Sequence, residues 1–290
     1  MAYQETRVKI PHPNPTVRYL VGIIRSVEGS VSGGSTFSGS PSPIALICHG
    51  ILAHKNQTYH CALASALSEA GIASIRFDFQ GYGESPGESP GQSSLADLWK
   101  EEEDFDAVFS WLEKQGWRPD ILIAHSKASN PANAYLCDWK RRRLNSLVPP
   151  FFVNISGRYV MARLLSHIET WKSQFDTVGY VEVKHGNRVG RGTKQHIIDF
   201  ATFPSSRTIT DFPKDTHVLT IHGTKDEIVP FNDAEIYHLI FSVRDGTGTS
   251  ELKAVEGADH NFVGKFDILI DTIIEWLLRL QRMEDAMAKL

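Results

Sequence analysis

The 290-residue sequence predicts an α/β chain whose sheet is mostly parallel and doubly wound, with a cap inserted after the sixth strand. Apolar runs of strand length recur at Ile44–Cys48, Ile72–Phe77, Ile121–Ala124, Phe151–Ile155 and Val218–His222. Segments long enough for helices separate them, which suits crossover connections in a parallel sheet. The alternation then breaks once, over residues 158–213, and resumes to the C-terminus. The expected division is a first core part at 1–157, the cap at 158–213 and a second core part at 214–290.

Val17–Ser26 reads as the first strand, and the Gly/Ser-rich piece Gly29–Ser42 as a hairpin or loop. Ile44–Cys48 runs into His49-Gly50-Ile51-Leu52, where a glycine directly after a strand lets backbone N–H groups face a ligand. A helix over Gln57–Ala70 is stopped by Gly71, and Ile72–Phe77 leads into Asp78. Ser94 and Asp97 offer a helix start, with Gly116 beyond its end. Glu101–Asp104 on that helix is expected to be a wet face. After Ile121–Ala124, Pro131–Lys140 continues as a helix; the basic run Lys140–Arg143 is expected to be its solvated end. Within the cap, a helix is expected over Tyr159–Phe175, a Gly-rich turn region over Gly179–Gly192 and a helical piece near Gln195–Phe200. Val218–His222, a helix near Asp233–Phe241, the strand Glu251–Val255 and the amphipathic helix Phe266–Met283 complete the chain.

Composition narrows the function classes. With 41% hydrophobic and 22% charged residues the chain is ordinary globular protein, and net charge −4 gives no general attraction to nucleic acid or anionic membrane. Three cysteines (Cys48, Cys61, Cys137) without C-x-x-C spacing indicate neither a disulfide framework nor a zinc site; Cys137 reads as core. His54 and His60 lack a metal spacing, so no metal and no cofactor are assigned. The N-terminus has no apolar signal region and no window approaches 18 uninterrupted apolar residues, so a soluble, non-secreted protein without a membrane span is expected. Ala288-Lys289-Leu290 differs by one small residue from a Ser-Lys-Leu address, which makes a peroxisomal import receptor an expected partner and the cytoplasm the alternative location.

The chemistry gathers at Ala124-His125-Ser126-Lys127-Ala128, a serine between small residues at a strand-to-helix turn. Asp226 follows the strand Val218–His222, and His260 follows Glu251–Val255. Ligands of open parallel sheets bind outside the carboxyl ends of the strands, where all three residues fall. A serine hydroxyl needs a base within reach, imidazole can take and return that proton, and a buried carboxylate fixes the imidazole. The backbone N–H groups of Ile51 and Lys127 are the expected oxyanion donors. Asp259 and Glu227 are the runner-up acids, and His49, His125 and His222 are expected to be packing and turn residues.

Together with Arg76-Phe77-Asp78-Phe79-Gln80-Gly81-Tyr82-Gly83-Glu84-Ser85 and Gly257-Ala258-Asp259-His260, these motifs resemble the α/β-hydrolase superfamily. The likeness spans residues 40–285 and is nearest the cinnamoyl-esterase and monoacylglycerol-lipase-like branch. More narrowly, the chain is similar to fungal hydrolases of toxin clusters, some of them peroxisomal. The resemblance implies Ser126 as nucleophile, Asp226 as acid, His260 as base, Ile51 and Lys127 as oxyanion donors, and Asp78 as a fixed carboxylate. It departs from the family at the elbow, where Ala124 and Ala128 stand for glycines and add crowding. The expectation is a serine hydrolase of an ester, thioester or lactone of a medium-sized hydrophobic acid, acting in secondary metabolism. Tyr159, Met161, Leu164, Leu165, Trp171, Phe175 and Tyr180 would line its acyl site. A silent binding scaffold, or an acyl transferase or lyase using the same site, stays open.

Overall fold

Unbroken apolar runs suit strands covered on both faces, because a face left to water would call for alternation. The computed structural model describes residues 3–27, 41–87, 97–143, 146–185 and 188–287. Among these, eight strands form one sheet in the order β1 (Tyr3–Pro11), β2 (Tyr19–Val27), β4 (Ala73–Asp78), β3 (Ser42–Cys48), β5 (Trp117–His125), β6 (Phe151–Ile155), β9 (His217–Gly223) and β10 (Ser250–Val255). β1 pairs antiparallel with β2, and β2 with β4; every pairing from β4 across to β10 is parallel. This is the α/β-hydrolase fold.

Two apolar layers fix the sheet. Ile44, Leu46 and Cys48 of β3 face a core completed by α2 (Leu98–Lys114), α3 (Ser129–Cys137) and α8 (Asn232–Ser242). Ala45 and Ile47 of the same strand face the opposite core, built with α1 (His60–Glu69) and α9 (Phe266–Met287). The period-two alternation of side chains is therefore spent on two buried faces, not on one buried and one wet.

Several expectations are corrected. Glu101, Glu102 and Asp104 do not form a wet face; all three are buried. Each has a partner that the local pattern could not reveal: Lys127 on Glu101, Arg142 on Glu102, and His12 on Asp104. The basic run is split. Lys140 and Arg141 are exposed, while Arg142 of the short helix α4 (Trp139–Arg142) and Arg143 turn back onto Glu102, Asp106 and Glu113. β1 precedes the strand expected first and leaves little apolar periodicity to read in the sequence, because most of its side chains are exposed on an edge strand. Asp97 caps α2, its carboxylate accepting from Lys100 N at 3.2 Å. Ser94, most of Gly29–Ser42 and the tripeptide Ala288-Lys289-Leu290 lie outside the described residues.

After β6 the chain leaves the sheet and returns at β9. The helix expected over Tyr159–Phe175 is broken into a tight turn (Met161–Leu165), α5 (Ser166–Thr170) and α6 (Lys172–Val178). The Gly-rich region is an antiparallel hairpin of β7 (Val181–His185) and β8 (Arg188–Gly192), followed by α7 (Lys194–Ala201).

The loop after β4 is held by Asp78, whose buried carboxylate accepts from Lys55 N at 2.7 Å, Lys55 Nζ at 2.5 Å and Glu84 N at 2.9 Å. Gly83 sits in the left-handed region at φ +52°, and a Cβ there would lie 2.3 Å from that carboxylate. Gly83→Ala is expected to cost at least about 2 kcal/mol, from left-handed strain and overpacking together. Urea unfolding measures it, and an unchanged midpoint would refute it.

Candidate active site

β5 ends at His125, and the chain turns at Ser126–Ala128 into α3. Ser126 itself adopts φ +55°, the left-handed conformation a non-glycine residue holds only when its surroundings enforce it. The turn throws its hydroxyl out at the carboxyl edge of the sheet. There Ser126 Oγ donates to His260 Nε2 at 2.8 Å, and His260 Nδ1 donates to Asp226 Oδ2 at 2.7 Å. The proton positions follow from the partners, since a carboxylate can only accept. Three side chains distant in sequence thus form one hydrogen-bonded chain.

The acid is held firmly. Asp226 Oδ1 accepts from Ile228 N at 2.9 Å and Val229 N at 2.8 Å, and Oδ2 lies 3.1 Å from His222 Nε2. Burial pushes this carboxyl up, but the hydrogen bonds from His222 and His260 outweigh it and hold it well below the usual carboxylate range. The ionised form therefore persists in the folded state as pH falls through the ordinary carboxylate range; its contribution to stability is full above that range and is lost progressively as pH drops from the ordinary value toward the lowered one.

The other strand-end histidines do more than fill space. His125 Nε2 and Ser156 Oγ both donate to the His260 carbonyl, at 3.1 and 3.3 Å, pinning the loop that carries His260. His49 Nδ1 donates to the Gly50 carbonyl at 2.9 Å, while its Nε2 accepts from Phe79 N at 3.2 Å. The Gly50 carbonyl and the Ile51 N–H share one planar peptide, so gripping the first orients the second. Burial, then the charge on Lys127, keeps His49 neutral, well below the usual imidazole range. Gly50 also brings this strand end against Ser126: a Cβ there would lie 3.2 Å from Ser126 Cβ.

Lys127, the residue after Ser126, sends its side chain inward. The ammonium pairs with Glu101, lies 3.3 Å from Tyr82 Oη and sits 4.3 Å over the Tyr82 ring. Both partners are almost fully buried. Burial pulls Lys127 down, but the Glu101 carboxylate more than offsets it and keeps the ammonium charged.

Ser126, Ile51 and Lys127 share a cavity of about 360 Å³. Its far wall comes from the segment between β6 and β9: Leu164, Trp171, Val183, Ile197 and Phe200, with Arg158, His167 and His196 among them. Of the expected acyl-site residues, Leu164 and Trp171 line it. Tyr159 packs on Tyr237 at 5.1 Å instead, Met161 is buried against the Asn130 amide and Leu165 faces outward. Phe175 and Tyr180 are not lining residues. Of the runner-up acids, Asp259 accepts from Asn261 N and Val263 N to close its own turn, and Glu227 lines the cavity without bonding His260 among the described residues. Cys137 packs against the core, where burial pushes its thiol up to about 12. The pairing of Glu101 with Lys127 and the contact of His222 with Asp226 are not legible in the sequence, because nothing in the local pattern shows which side chains the fold turns toward each other.

The elbow alanines are accommodated. Both are fully buried, and Ala128 has φ −62°, which any residue adopts. Ala128→Gly is expected to lose about 1 kcal/mol from the missing methyl and added chain entropy, without raising turnover. A more active variant of unchanged stability would contradict this.

The family model described as serine aminopeptidase, S33, matches residues 39–172. A putative uncharacterized protein of Saccharomyces cerevisiae is 28% identical over 239 residues, covering 76% of this chain and 69% of the relative. Est1E from Butyrivibrio proteoclasticus, solved with bound ferulic acid, superposes with a TM-score of 0.70 at 15% identity, covering 94% of this chain and 98% of that one. The esterase domain of a Rhodothermus marinus protein gives 0.64 at 19% identity, covering 95% and 98%.

Proposed function

We propose, from the premise that this chain is an α/β hydrolase by fold, that it is a serine esterase working through an acyl-enzyme. The hydrogen-bonded run from Asp226 through His260 to Ser126, opening onto an apolar cavity, is the observation that carries this reading. In it, residues 158–213 act as the cap. Ser126 Oγ attacks the ester carbonyl as His260 Nε2 takes its proton, and the carbonyl oxygen becomes an oxyanion facing the N–H groups of Ile51 and Lys127. Collapse expels the alcohol, which leaves with the proton from His260. Water, deprotonated by the same imidazole, then attacks the acyl-serine and releases the acid.

Leu164, Trp171, Ile197 and Phe200 favour an apolar body on the substrate, so a medium-sized acyl chain is the expected fit. A thioester or lactone of such an acid, as in secondary metabolism, would use the same steps. Labelling by a fluorophosphonate probe tests the reading, with p-nitrophenyl esters of graded length and acyl-CoAs as substrates. Labelling that vanishes in Ser126→Ala, with turnover peaking beyond acetate, is expected. A folded wild type that neither labels nor hydrolyses any of them would end it.

A further inference from the structure

We propose that Arg158 selects substrates carrying a second, anionic end: a carboxylate set apart from the ester that Ser126 attacks. This rests on the serine-esterase reading and deepens it. Arg158 follows β6 at the sheet rim and lines the same cavity as Ser126. Its backbone is clamped, the carbonyl accepting from Asn130 Nδ2 at 2.8 Å and Tyr237 Oη at 3.1 Å. The guanidinium is steered by one bond, Nη2 donating to the Ile228 carbonyl at 2.5 Å.

What this cation lacks is a counter-charge. Among the described residues no carboxylate forms an ion pair with it, and the two whose fields reach it are occupied. Asp233 accepts from Tyr159 N and Val160 N, at 3.0 and 3.2 Å, and pairs with Arg163. Asp226 is committed to His260, His222 and two backbone N–H groups. Glu227, the carboxylate on the cavity wall, makes no ion pair with it either. Burial accordingly depresses the Arg158 guanidinium below its usual range.

A partly desolvated, unpaired guanidinium is unfavourable unless something completes it. Its remaining N–H groups form a planar fork that matches a carboxylate with two parallel bonds. The apolar walls nearby, Leu164, Trp171 and Ile197, would strengthen that pair by excluding water. A neutral ester would leave the cation unanswered. A half-ester of a dicarboxylic acid would fill the cavity with its chain and answer Arg158 with its free end.

The test uses binding, so it stands apart from whether the serine turns over. In the Ser126→Ala protein, calorimetry compares monomethyl adipate with methyl hexanoate, which lacks the distal carboxylate. Monomethyl adipate is expected to bind at least about tenfold more tightly at low salt. Arg158→Met should erase that difference while methyl hexanoate binding, the control for an intact cavity, stays within about threefold; Arg158→Lys should keep only part of it. Equal binding of the two esters, or a preference that survives in Arg158→Met, would overturn the proposal. Tighter binding of pentyl phosphate than of monomethyl adipate would overturn the carboxylate assignment. In the wild type, mono-p-nitrophenyl adipate should then exceed p-nitrophenyl hexanoate in kcat/KM. Selective binding without turnover of either would sink the esterase reading and leave the Arg158 assignment standing.

Discussion

Ser126→Ala is expected to reduce ester turnover on the order of 10⁴–10⁶-fold while leaving the fold and ester binding intact. His260→Ala should cost about as much, and the double variant little more, because the pair acts as a unit. The reason is geometric: the hydroxyl is 2.8 Å from the His260 imidazole, within reach to hand over its proton. Asp226→Asn should fall short of that by about tenfold or more, since Ile228 N and Val229 N can still hold an amide oxygen in place. Steady-state kinetics on a p-nitrophenyl ester decide the matter. A Ser126→Ala protein keeping more than about 1% of wild-type kcat would mean that another group is the nucleophile.

The second large effect is on stability. Removing Glu101 strands the Lys127 ammonium in a site where water cannot reach it. Loss of one partner of a buried pair typically costs about 3–5 kcal/mol, so Glu101→Leu is expected to melt on the order of 10 °C below the wild type. The double variant Glu101→Leu/Lys127→Met should recover most of this, because no charge is then left uncompensated. Its activity is equally informative: the Lys127 N–H remains while the ammonium is gone. If Glu101→Leu alone stays within about 1 kcal/mol of wild type, the pair is not the structural element described above.

That pair also shows where sequence reading stops. Glu101–Asp104 looks like a wet helix face, because four acids in a row are usually solvated. Three of them are buried here, and the side chains that partner them, His12, Lys127 and Arg142, come from outside that helix. The edge strand β1 escaped for the opposite reason, having few buried positions to create a pattern. The hairpin of β7 and β8 reads as turns in the sequence because glycines obscure its short strands. By contrast Ser126, Asp226 and His260 were legible, each lying just past an apolar run.

The sequence by itself determined the alternating elements, the parallel sheet and the three residue types waiting at its carboxyl edge. Those follow from local rules: the period of apolar side chains, the turn chemistry of small residues, and the need of a serine for a base. Only the tertiary structure decided which charge meets which. It set Glu101 against Lys127, gave Asp226 both His222 and His260, and left Arg158 facing the cavity without a carboxylate partner among the described residues. An ion pair depends on distance in space and on exclusion of water, and neither quantity is encoded in neighbouring positions along a chain.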